Sequence, residues 1–175
     1  MLAIAVGAVA IASAISLALF FAIQGPFGTI NDVLNGVLAI LAGALAWTLS
    51  GSVALVYIAM LGALIAIVGS VLVVTGTTGF FLAGLVSSAG FALIGAWLLW
   101  YSWSLSTTPA LRWLGVAAGA LMVLGILVLP GIAMRLDDMN EAPGWVWVGF
   151  AGWLGIYVAL PAWSIWFGLT RQPQS

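Results

Sequence analysis

From residue 33 to residue 111 this chain carries no charged side chain, and none precedes Asp32. No water-soluble fold can be built on such a stretch. A soluble domain keeps about a quarter of its residues charged; here Asp, Glu, Lys and Arg make up 4% of 175 residues, against 65% hydrophobic. The apolar surface left after packing has only lipid to face. The apolar runs also have the right length. A helix over 2–23 rises about 33 Å at 1.5 Å per residue, enough to cross a hydrocarbon core of about 30 Å.

Gly, Pro and short polar clusters divide the chain into six such runs. The pattern predicts helices over 2–23, 30–49, 53–74, 80–103, 110–134 and 145–169. Gln24-Gly25-Pro26 ends the first, and Thr29 with Asp32 three residues on reads as a capping box opening the second. Ser50-Gly51-Ser52 and Thr75–Gly79 are turns. Thr108 is placed to cap the fifth helix, with Pro109 at the first helical position. Pro130 and Pro161 remove hydrogen bonds to the carbonyls of Ile126 and Tyr157. Ala12-Ser13-Ala14 has the look of a leader cleavage site, but no Lys or Arg precedes the apolar run, so the first helix is expected to be retained. Clusters of Trp at helix ends (Trp97, Trp100, Trp103, Trp145, Trp147, Trp163, Trp166) are expected to anchor at headgroup depth.

The expected fold is therefore all-α: one polytopic transmembrane bundle of six helices over 1–175, with short loops, both termini on the same side and a short polar tail over Thr170–Ser175. Arg112 and Arg171 fall on the terminal side and Arg135 on the other. That margin favours cytoplasmic termini of a multi-pass protein in a cell membrane, expected to be bacterial.

The missing residue types narrow the chemistry. The chain has no Cys and no His, and no Lys. Thiolate and imidazole metal ligands are absent, as are the commonest general base and any Schiff-base amine. No metal site, cofactor or nucleic-acid partner is expected, the last because three basic residues give no electrostatic footing. No ionisable residue lies far from a helix end, which argues against proton pumps and voltage sensors.

Two readings remain. The favoured one is a non-catalytic subunit or accessory protein, acting in lipid through helix–helix contacts with a membrane-protein partner or a second copy of itself. Small-residue stripes motivate it: Gly115 with Gly119, and Ala151 with Gly155 and Ala159. The alternative is a binding or transport module for a small cationic or neutral ligand. Its pocket would open on the acid-rich face and be built from Asp32, Asn35, Asp137, Asp138, Glu141 and Trp145. The bland reading of those acids is that Asp32 caps a helix and Arg135 pairs with Asp137 or Asp138. In topology and length alone the chain is similar to the substrate-binding subunits of energy-coupling factor transporters, a fold-level analogy with no motif behind it. An intramembrane enzyme would have to activate Ser87 or Ser88 without a base.

Overall fold

The structure, a computed structural model, describes residues 1–171; of the expected polar tail, Gln172 onward lies outside the described residues. Six apolar helical spans pack as a bundle, and the chain is an integral, multi-pass membrane protein in contact with a lipid bilayer. The first four spans are single helices: α1 Leu2–Ile23, α2 Phe27–Leu49, α3 Val53–Val74 and α4 Phe80–Trp103. The fifth consists of α5 Pro109–Val123, a 3-10 turn Leu124–Val128 and α6 Leu129–Ala133. A 3-10 turn at Met139–Glu141 sits in the charged loop. The sixth span runs through α7 Gly144–Phe150, α8 Gly152–Leu154, a π turn Gly155–Ala159 and α9 Leu160–Thr170.

Helix two begins earlier than the capping pattern predicts. Gln24 and Gly25 both take positive φ, +57° and +73°, and reverse the chain within a few residues. Pro26 then stands directly before the first turn as its N-cap, with no side-chain cap bond. A proline's fixed φ suits that start. Thr29 and Asp32 therefore lie inside α2, and Asp32 caps nothing.

Both prolines act further upstream than a simple kink. In the fifth span, the Ile126 carbonyl that Pro130 leaves without its usual donor accepts instead from the Leu129 N–H, three residues on. In the sixth, the Leu160 N–H reaches back five residues to the Gly155 carbonyl, giving a wide turn immediately before Pro161. Backbone groups freed inside a bilayer must be satisfied within the protein, and tightened or widened turns do so.

Consecutive spans pack side by side, and the sixth returns to α1. Met1, Leu49 and Arg171 border one groove, so α1 begins at the same end of the bundle where α9 finishes, here the terminal end. At the opposite, acidic end, the rings of Phe20 and Phe80 meet at 5.2 Å. Helix α4 is the most enclosed, 61% buried against 33% for α3, whose Tyr57, Leu61, Leu64 and Val71 face outward. Glycine contacts let α4 approach both neighbours. A Cβ at Gly119 would stand 2.5 Å from the Leu99 nitrogen and 2.6 Å from the Gly95 carbonyl oxygen. One large core runs along the bundle, and a smaller one, around Phe81, Leu85, Val128 and Phe150, lies at the acidic end; Trp153 packs against both.

Two tryptophans depart from the expected anchoring role. Trp47, Trp100, Trp103, Trp113, Trp145 and Trp147 are exposed at the helix ends, as headgroup anchors should be. Trp97 and Trp163 are instead fully buried. Trp97 stacks on Tyr101 at 5.6 Å, Trp163 stacks on Phe167 at 4.9 Å, and Tyr101 meets both Trp163 and Phe167 edge-on. Helical period explains the split: residues four apart share the inward face, and Trp100 and Trp103 take the other. The result is an aromatic layer closing the interior toward the terminal end.

Replacing Gly119 with Val should push α4 and α5 apart and cost about 1–3 kcal/mol. Thermal unfolding in mild detergent should show a clear drop in Tm. Gly51→Ala, whose added carbon meets nothing within 4 Å, should leave Tm unchanged.

Candidate functional site

Asn31 and Asn35 stand one helical turn apart on α2, only 2% and 8% exposed. A primary amide in hydrocarbon is costly unless its donors and acceptors are met. Here Ser13, fully buried near the middle of α1, supplies the partner, about 16 Å along that helix from its start. The Asn31 amide donates to the Ser13 carbonyl at 2.9 Å and to its hydroxyl at 2.8 Å. The Ser13 hydroxyl donates to Asn35 Oδ1 at 2.9 Å. The Asn35 amide closes the triangle on Asn31 Oδ1 at 3.1 Å and reaches the Tyr157 hydroxyl, also at 3.1 Å. Tyr157 is carried by the π turn of the sixth span. Three spans are thus joined by one polar network in which every amide hydrogen of both asparagines is used.

A cavity lies beside this network. Asn31, Asn35 and Tyr157 form one wall; Ser87, Ser88, Phe80 and Phe91 of α4 form another; Trp153, Ile156 and Leu17 complete it, with Asp32 as its single charged residue. Its volume is about 20 Å³, room for one water-sized group. Trp153 donates to the Ser88 hydroxyl at 3.1 Å, and its ring is held by Phe150 at 4.4 Å and by the edge of Tyr157 at 6.2 Å. Gly84 keeps the space open: a Cβ there would meet nothing within 4 Å. The cavity falls where the two hydrophobic cores meet at Trp153.

The six ligand residues expected from sequence separate. Asp32 and Asn35 come together at the cavity. Asp137 spans the charged loop to the start of α4, accepting from the backbone N–H groups of Gly79 at 2.8 Å and Leu82 at 3.1 Å. This carboxylate satisfies orphan donors of a helix N-terminus, and the expected partner Arg135 is not what holds it. Asp138 accepts from the backbone and side-chain amides of Asn140 at 2.8 and 2.9 Å, closing a local turn. Glu141 is exposed. Trp145, 37% exposed, borders a separate apolar groove with Ile126, Pro130 and Met134.

The small-residue stripes lie mainly inside the bundle. Gly119 faces Gly95 and Leu99 of α4; Gly115 is flanked by the Ser102 hydroxyl and the Trp163 indole; Gly155 fits against Met122 and the Ala118 carbonyl. Ala151 and Ala159 are half-buried.

Ser13, Asn31 and Tyr157 were not among the sequence-derived site residues. The usable signal was the pair of asparagines four apart in an apolar helix, since such a pair demands partners from other spans. Nothing in sequence named Ser13 or Tyr157 as those partners. No group of three His, Cys, Asp or Glu among the described residues is placed to hold a metal ion. No protein-family model, curated protein or solved structure matches the chain.

A double-mutant cycle of Ser13→Ala with Asn31→Ala, followed by unfolding in mixed micelles, should give a coupling energy of about 1 kcal/mol. Asn140→Ala, in the exposed loop, should change stability by less than about 0.5 kcal/mol.

Proposed function

We propose that this chain is a non-catalytic membrane-embedded module that binds a small cationic or neutral solute, admitted from the acidic end of the bundle. One observation carries this reading: a small, partly enclosed polar cavity within the helical spans, toward the acidic end, bordered by Asp32, Asn35, Ser88 and Tyr157. Polar groups within membrane spans are costly and tend to mark ligand or ion paths. Two features support it. The wall contributed by the sixth span is an irregular helix, as in carriers that build their sites from broken spans. The aromatic layer of Trp97, Tyr101, Trp163 and Phe167 blocks the interior toward the terminal end, which leaves one direction of entry. With cytoplasmic termini in a bacterial cell membrane, as the arginine distribution favours, the mouth faces outward.

The subunit reading loses much of its motivation. Gly115, Gly119 and Gly155 are spent on contacts within the bundle. A membrane-protein partner or second copy would have to use other faces, such as the outward side of α3.

Gly84→Leu tests the proposal by filling the cavity from a position that makes no contact of its own. In nanodiscs, a panel of small amines, amides and alcohols should include a solute that raises the wild-type Tm saturably. The same solute should leave Gly84→Leu unmoved while that variant still folds. A panel without effect on the wild type, or an equal shift in both proteins, contradicts the proposal.

A further inference from the structure

The hydrogen-bond bookkeeping of the cavity restricts what it can hold. All amide hydrogens of Asn31 and Asn35 are turned onto Ser13, onto each other and onto Tyr157. The Ser87 hydroxyl donates away, to the Ala66 carbonyl at 3.4 Å. What remains at the space is the Asp32 carboxylate and the second lone pair of Asn31 Oδ1, beside the Ser88 hydroxyl, which accepts from Trp153 and keeps its own hydrogen, while the Tyr157 hydroxyl is taken up by Asn35. None of the three arginines borders the cavity, so the Asp32 charge is not balanced there. The lone carboxylate and the free Asn31 oxygen favour an occupant that carries positive charge and hydrogen-bond donors.

Charge count and size then select among cations. Calcium and magnesium are held by several oxygen ligands, usually with more than one carboxylate, and Asp32 stands alone. A volume of about 20 Å³ admits a group the size of water and excludes a quaternary ammonium. Phe80, Phe91, Trp153 and Tyr157 line the remaining walls, and aromatic surroundings tolerate a cation better than an anion. We infer that the cavity takes a singly charged N–H cation, either ammonium or the ammonium head of a small primary amine, with Asp32 as its charge partner. This rests on the binding reading above and names the ligand class for that same cavity.

The test uses the full chain in nanodiscs at neutral pH, titrated at constant ionic strength with ammonium, methylammonium, sodium, tetramethylammonium or neutral acetamide. Thermal unfolding and tryptophan fluorescence report binding, and circular dichroism confirms that each variant is folded. Ammonium or methylammonium should bind saturably, and Asp32→Asn should weaken that binding about tenfold or more. A preference for methylammonium assigns the site to an amine head, and a preference for ammonium to the free ion. Equal binding of sodium or tetramethylammonium, or binding indifferent to Asp32→Asn, overturns the inference. If acetamide binds instead and Gly84→Leu abolishes it, the ligand class falls while the binding reading stands. If nothing on the panel binds the wild type, both fall.

Discussion

An asparagine side chain in hydrocarbon cannot be left half-bonded. Each carries two donors and an acceptor that water would otherwise satisfy, and the bilayer supplies no substitute. Asn31 and Asn35 meet that demand by recruiting Ser13 from α1 and Tyr157 from the sixth span. The spans at the two ends of the described chain are thereby fixed against α2 at bilayer depth, where apolar contact alone distinguishes poorly between one rotation of a helix and another. The cavity is a by-product of this arrangement. Polar groups that must face one another cannot also fill the space toward α4, and Gly84 leaves that space open.

The irregular spans belong to the same constraint. Pro161 forbids a regular helix through the sixth span, and the wide turn that resolves it carries Tyr157. Pro130 does likewise to the fifth span, where a 3-10 turn places Gly125 against the Ser88 carbonyl; a Cβ there would stand 2.7 Å from it. Gly152 then approaches the Gly125 nitrogen, 3.2 Å from where its own Cβ would be. Two departures from α-helical geometry thus meet each other beside α4, and Trp153 and Ser88 join across that seam. In a water-soluble protein such turns could be solvated; in lipid they must be packed.

Much of the fold could be read from sequence because lipid imposes simple rules. Length, charge-free runs and Gly or Pro punctuation located all six spans, with α1, α3 and α4 at the observed bounds. The errors arose where a local pattern competed with chain reversal or helical facing. Thr29 and Asp32 matched a capping box, but a turn at Gln24 and Gly25 let Pro26 start the helix earlier. Trp97 and Trp163 resembled interface anchors by position, yet the face they occupy is the inner one. The site was legible only in part. Of the six residues that sequence groups, Asp32 and Asn35 lie at one cavity. Asp137 and Asp138 lie apart from it, because composition shows acids clustering without showing that each already has a partner. Ser13 was invisible as a site residue, since a serine within an apolar helix usually bonds to its own backbone.

A cavity that binds solute as proposed must let water-borne solutes reach Gly84 from the Asp32 end and no further. The chain contains no cysteine, so single-cysteine variants can be read without background. In sealed vesicles of known orientation, Gly84→Cys, at the half-exposed edge of the cavity, should react with a small membrane-impermeant thiol reagent. It should react only from the side of Asp32, while Ala92→Cys, at a buried position on the same helix, should remain unlabelled from either side. A Gly84→Cys variant as inert as Ala92→Cys, or one labelled from the terminal side, would contradict the account.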